Sequence, residues 1–183
     1  MRTLILSIVF FTSISFSFSQ LNYTESEIQK TALLVKNIPK AAQRNTASLV
    51  SEINKIGKTE RIKTLAIYEW ITHAISYDTK ALVKNNLQQL SADEVIKSQA
   101  AVCSGYAAVF KALATGLGLE CELIEGYAKG YGYEPGTIIE ETNHVWNKVK
   151  IDGQWYLIDA TWGAGSVREA SGKLIFISAP NLD

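Results

Sequence analysis

An α+β fold is predicted for this chain, with helices first and an antiparallel sheet after them, and three observations carry the prediction. Apolar residues recur at helical spacing through the first two-thirds of the chain. From about Glu120 the period shortens toward two, the spacing of a strand. Asp152-Gly153 then separates two strand-like runs, and Asp-Gly in that setting is a strong hairpin signal. Helices and strands gathered in separate stretches fit an α+β arrangement.

At 183 residues the chain suits one core rather than two. Hydrophobic residues make up 47% and charged residues 20%, which excludes disorder and a disulfide-dense miniature. The formal net charge is zero, and no long Lys/Arg cluster supports a nucleic-acid partner.

Residues 1–19 stand apart: Arg2, then the apolar run Leu4 to Phe11, then Ser15, Ser17 and Ser19. A positive start, a short apolar middle and small residues before Gln20 form the layout of an export signal, with cleavage expected after Ser19. A retained anchor would need a longer apolar run. The mature protein is therefore expected to be secreted or periplasmic, with no membrane contact after cleavage. Residues 20–57 form an expected N-terminal helical region and 58–183 the main domain.

Thr24-Glu25-Ser26-Glu27, followed by Ile28, Ala32 and Val35, predicts a capped helix ending before Pro39. Leu49, Val50, Ile53 and Ile56 predict a second, with Gly57 to stop it. The segment Lys58 to Asn86 opens on Thr59 as N-cap and carries Ile62, Leu65, Ala66, Trp70, Ile71, Ala74 and Ile75 on one apolar face. His73 lies on this helix, but with Tyr77 rather than an acceptor at i+4 it reads as a surface or satisfied group. Ser91-Ala92-Asp93-Glu94 is a capping box for a short helix through about Gln99.

Cys103 then opens a helix with Tyr106, Val109, Phe110, Leu113 and Leu117 on one face, stopped by Gly116 and Gly118. A thiol at a helix N-terminus meets unpaired N–H groups and the positive end of the dipole, both favouring thiolate. A buried core cysteine is the competing reading. Gly105 is read as allowing close approach of a backbone or substrate, or simply as a packing glycine. A strand is expected over Glu120 to Ala128, with Cys121 as filler. A Cys103–Cys121 disulfide is open in an exported chain, but the two lie in different elements and need not converge. Lys129 to Thr142, rich in glycine and tyrosine, is a long loop of the kind that carries function. Glu140 and Glu141 at its end could shape substrate preference or be merely solvated.

A two-residue Asp152-Gly153 loop pairs Ile151 with Gln154, and counting back pairs Trp146 with Asp159 and His144 with Thr161. His144 and Asp159 then share a sheet face as diagonal neighbours, close enough for a ring N–H to bond the carboxylate. A carboxylate on one ring nitrogen leaves the other free for a thiol proton. Residue types alone weigh this evenly against a bonded strand histidine and a strand-end aspartate.

Val102-Cys103-Ser104-Gly105-Tyr106-Ala107, then Asn143-His144-Val145-Trp146-Asn147, then Asp152 to Gly163 together resemble the transglutaminase-like superfamily, in its kyphoscoliosis-peptidase and cytokinesis-protein branch. The resemblance spans about Lys58 to Gly165. It implies a papain-like core in which the cysteine helix packs on an antiparallel sheet. It also implies Cys103 as nucleophile, His144 as general base and then acid, and Asp159 as its orienter. Trp146, Trp155 and Trp162 are assigned to packing. Family members often continue with further strands, so Leu174-Ile175-Phe176-Ile177 either supplies a last one or the domain is trimmed.

The expected function is an exported thiol-dependent acyl-transfer enzyme acting on protein or peptide amide bonds by hydrolysis or transamidation, without metal or organic cofactor. The alternative is a non-catalytic module binding extracellular protein or cell-wall components. Helix N–H groups at Cys103 would hold an oxyanion, with Gln99 a candidate second donor.

Overall fold

A computed structural model describes residues 21–84 and 89–179, so the expected export segment lies outside the described residues. Helix α1 spans Glu25–Lys36 and α2 Thr46–Ile56. Thr24 and Glu27 form the capping box of α1, and Asn45 caps α2. Helix α3, Glu60–Ala74, starts at its Thr59 cap and stops well short of Asn86. The chain leaves it into the short strand β1, Ser76–Tyr77, because Asp78 caps a new helix, α4, at Thr79–Val83. Helix α5, Ala92–Ser98, has the Ser91–Glu94 capping box and leads through β2, Ala100–Ala101, into α6, Cys103–Gly116.

Helix α6 is the centre of the molecule. Tyr106, Val109, Phe110 and Leu113 are fully buried, each burial contributing about 1.5–3 kcal/mol. Leu49 and Ile53 of α2 and Ala66, Ile67, Trp70 and Ile71 of α3 enter the same core, so the N-terminal helices share it with the later elements. The Tyr106 hydroxyl donates to Ile75 O at 2.6 Å, tying α6 to the end of α3.

On the other side α6 lies against a three-stranded antiparallel sheet ordered β3-β4-β5: Cys121–Gly126, His144–Ile151 and Gln154–Ile158. Val149, Ile151 and Ile158 face the core. Asn147, buried on β4, donates from Nδ2 to Ala107 O at 3.1 Å, bonding the sheet to the first turns of α6. The expected packing of cysteine helix on antiparallel sheet is present.

The hairpin has the expected Ile151–Gln154 register, with Asp152 and Gly153 both at positive φ, as its tight turn requires. That ladder ends at Asn147–Ile158. The expected Trp146–Asp159 and His144–Thr161 pairs do not form, because Asp159 caps the short helix α7, Ala160–Ala164, and Thr161 is helical. His144 pairs with Gly126 of β3 instead. A second hairpin, β6 (Gly165–Ala170) with β7 (Lys173–Ser178), follows, so Leu174 to Ile177 does supply a strand.

Candidate active site

Cys103 is the first residue of α6, with Val102 as an N-cap that offers no side-chain bond. The first N–H groups of the helix are thus left for other acceptors. Hydrogen bonds from the Ser104 and Val145 N–H groups reach the Cys103 sulfur, as does one from the His144 ring. Gly105 makes this entry possible by packing. A Cβ there would lie 2.5 Å from Ala101 Cβ and 3.1 Å from Val95 Cγ2, so its close neighbours are β2 and α5, not a substrate.

His144 is buried at the start of β4, and its Nε2 donates to Asp159 Oδ2 at 2.7 Å. That leaves Nδ1 for the sulfur. Asp159 does two jobs, since its Oδ1 also accepts from Trp162 N at 3.1 Å and caps α7. The structure therefore brings Cys103, His144 and Asp159 together, though through a helix cap rather than a ladder pair.

The electrostatics favour a charged pair. Burial alone would push the Cys103 thiol up, but the His144 hydrogen bond and charge, with the Val145 and Ser104 N–H bonds, outweigh it and hold the thiol below its usual value. Burial would likewise lower His144; its bonds to Asp159 and Cys103 instead raise it to about 9. Both shifts are in the direction of thiolate beside imidazolium. Cys121 is different: burial pushes its thiol up to about 12. Both cysteines are free, so the disulfide reading is not realised.

Two tryptophans flank the His144 ring, Trp146 at 5.7 Å and Trp162 at 5.5 Å between centroids. Trp146 needs Gly126 beneath it, where any Cβ would overlap its ring. Trp162 is 57% exposed and therefore not core packing, contrary to expectation. Trp155 is also exposed, and Lys148 Nζ sits 4.6 Å above its ring. A strand residue turned away from α6 meets water, which the alternating pattern alone does not reveal.

Trp162 and His144 line a cleft of about 790 Å³, together with Tyr77, Tyr131, Ile138 and Phe176. One wall is the Lys129 to Thr142 loop, whose base is clamped by Asn143: Ala128 N donates to its Oδ1 at 2.7 Å and its Nδ2 donates to Ala128 O at 3.0 Å. Glu140 and Glu141 are exposed and do not line the cleft. Gln99 is misplaced for oxyanion binding, because it lines a separate cavity with Trp70 and His73. His73 Nδ1 sits 2.7 Å from Glu69 O on its own helix, a satisfied group as expected.

Tyr77 was missed by sequence reasoning. Its ring stacks on Tyr106 at 6.4 Å, it lines the cleft, and burial followed by the charges of Cys103 and Asp78 raises its hydroxyl to about 12. Only the parallel β1–β2 pairing, which sets Tyr77 opposite Ala101 two residues before Cys103, could have signalled it. Among the described residues no group of three or more His, Cys, Asp or Glu is placed to hold a metal ion.

Residues 47–160 match the family model described as the transglutaminase-like superfamily. Kyphoscoliosis peptidase of Homo sapiens is 34% identical over 137 residues, 74% of this chain and 21% of that protein. The Mus musculus kyphoscoliosis peptidase is 34% identical over 130 residues, 70% of this chain and 20% of its own. Cytokinesis protein 3 of Schizosaccharomyces pombe is 26% identical over 151 residues, 79% of this chain and 17% of its own. The chain spans about a fifth of the length of these curated relatives.

Proposed function

Because the chain belongs to the transglutaminase-like superfamily, we propose that it is an exported thiol-dependent acyl-transfer enzyme acting on amide bonds of proteins or peptides. The observation that carries this reading is the His144 ring held between the Cys103 sulfur and the Asp159 carboxylate.

His144 and the neighbouring N–H groups favour the thiolate of Cys103, the form that attacks the amide carbonyl, with the thiol proton carried by the His144 ring. The carbonyl oxygen becomes an oxyanion. The Cys103 N–H at the start of α6 stabilises it, and Tyr77, protonated across the ordinary pH range, is a side-chain donor on the adjoining cleft. His144 gives its proton to the leaving amine as the C–N bond breaks, which leaves a thioester on Cys103. His144, now neutral, takes a proton from the incoming water or amine, and the thioester opens to acid or new amide. Asp159 holds the ring in place throughout and supports its positive charge whenever it is protonated.

Incubation of the mature protein with a peptide mixture and a labelled amine tests this. Cleavage products or amine incorporation, lost in Cys103→Ala, are expected. A non-catalytic module would bind peptides equally well with and without the thiol and turn none over.

A further inference from the structure

We propose that the cavity between α1 and α3 is a second ligand site, taking an organic cation, a guanidinium or primary ammonium on a short apolar chain, with the Glu69 carboxylate as its counter-ion. The cavity measures about 720 Å³ and shares no lining residue with the His144 cleft. Its apolar walls come from Ala32, Leu33 and Val35 of α1 and from Trp70 and Ala74 of α3, beside the polar Gln29 and Gln43.

Glu69 is its anomaly. The side chain is only 7% exposed, and Oε2 is buried with no hydrogen-bond partner. A buried carboxylate oxygen without a donor is costly, and most such groups in folded proteins are paired. The nearest candidate does not supply one: His73 Nδ1 stands 3.6 Å from Oε2 and is engaged at 2.7 Å with the Glu69 backbone carbonyl. Trp70 Nε1 is likewise committed, to Gln43 Oε1 at 3.2 Å. Burial raises the Glu69 carboxyl above its usual range, which the neighbouring His73 opposes only in part. A rotation of the Glu69 side chain would present the orphaned oxygen to an arriving cation, and the apolar walls would cover its chain.

Two further features fit. Lys36 also lines the cavity, but it is exposed, so water screens its charge while the carboxylate remains desolvated. Gln99, another lining residue, holds φ 52 and ψ 30, a left-handed conformation that glycine would adopt without strain. Leu33 is 61% exposed although it belongs to the wall, as expected of a surface that a ligand covers.

The test is nuclear magnetic resonance of the mature protein, following the Trp70 indole N–H and the His73 ring. The probes are n-butylguanidinium, its neutral analogue n-butylurea, and acetyl-arginine methylamide. Saturable shifts with n-butylguanidinium, absent with n-butylurea and weakened about tenfold or more in Glu69→Gln, are expected, since a charge-assisted bond would be lost. Tighter binding of the arginine peptide than of n-butylguanidinium would assign the cation to a protein side chain, and equal or weaker binding to a free small molecule. Shifts that do not saturate, that n-butylurea reproduces or that survive Glu69→Gln unchanged would overturn the proposal. An unchanged rate of Cys103 alkylation in Glu69→Gln shows that the variant is folded and separates this site from the thiol.

Discussion

His144 and Asp159 meet at 2.7 Å although no ladder pair brings them together. Strand β5 ends at Ile158, and the next residue both caps α7 through Oδ1 and holds the imidazole through Oδ2. The orientation of the histidine is therefore built into a helix start. Asp159→Asn keeps a cap but turns an amide N–H toward the ring. Acyl transfer should fall by roughly 10²- to 10⁴-fold, with thermal stability little changed. Asp159→Ala should add a stability loss of about 1 kcal/mol from the missing cap. Kinetics and thermal melts of the two variants check this.

Tyr77 lines the cleft and responds to the charge of Cys103. If its hydroxyl stabilises the oxyanion, Tyr77→Phe lowers kcat by about 10²- to 10³-fold and leaves the rate of Cys103 alkylation unchanged, because alkylation forms no oxyanion. Parallel decreases in both would instead mark a purely structural role.

Gly105 has no space for a methyl group between Ala101 and Val95. Gly105→Ala should cost about 1–3 kcal/mol by overpacking, despite the better helix propensity of alanine. Denaturant unfolding measures it. Because α5 and β2 set the position of the first turn of α6, the same variant should slow thiol alkylation at neutral pH.

The two thiols should separate cleanly. Cys103 is partly exposed and its thiol is held low, whereas Cys121 is buried and raised to about 12. Mass spectrometry of the native protein after brief alkylation should find one modified cysteine, Cys103, and a second only after unfolding. A disulfide would leave neither available without reduction.

The helices were legible because their signals are local: Thr24 with Glu27 and Ser91 with Glu94 are capping boxes in the sequence and in the structure. Asp152-Gly153 likewise fixed five ladder pairs. The hairpin count then brought His144 to Asp159 by the wrong route, because nothing between Gln154 and Trp162 marks the change from strand to helix except the aspartate itself, which also serves the site. Tyr77 and Phe176 were beyond reach for another reason. They lie 99 residues apart in the numbering yet their rings stand 6.5 Å apart, and only the assembled elements put them on the same cleft. Asn147 was also unreadable, since its bond to Ala107 O depends on how β4 meets α6. Aromatic residues in strands usually build core, and the sequence does not mark that Trp162 sits on a helix beside the histidine.

The central claim is that His144 holds Cys103 as a thiolate, and the rate of iodoacetamide alkylation of Cys103 against pH, in the native protein and in His144→Ala, tests it most directly. In the native protein the rate should rise with an inflection below the ordinary thiol value, and acyl transfer should fall again as His144 loses its proton near about 9. In His144→Ala the alkylation inflection should move up to the ordinary thiol value or beyond it, since burial remains and its main opponent is gone. An alkylation profile with an ordinary thiol inflection in the native protein, or one unmoved by His144→Ala, would contradict the account.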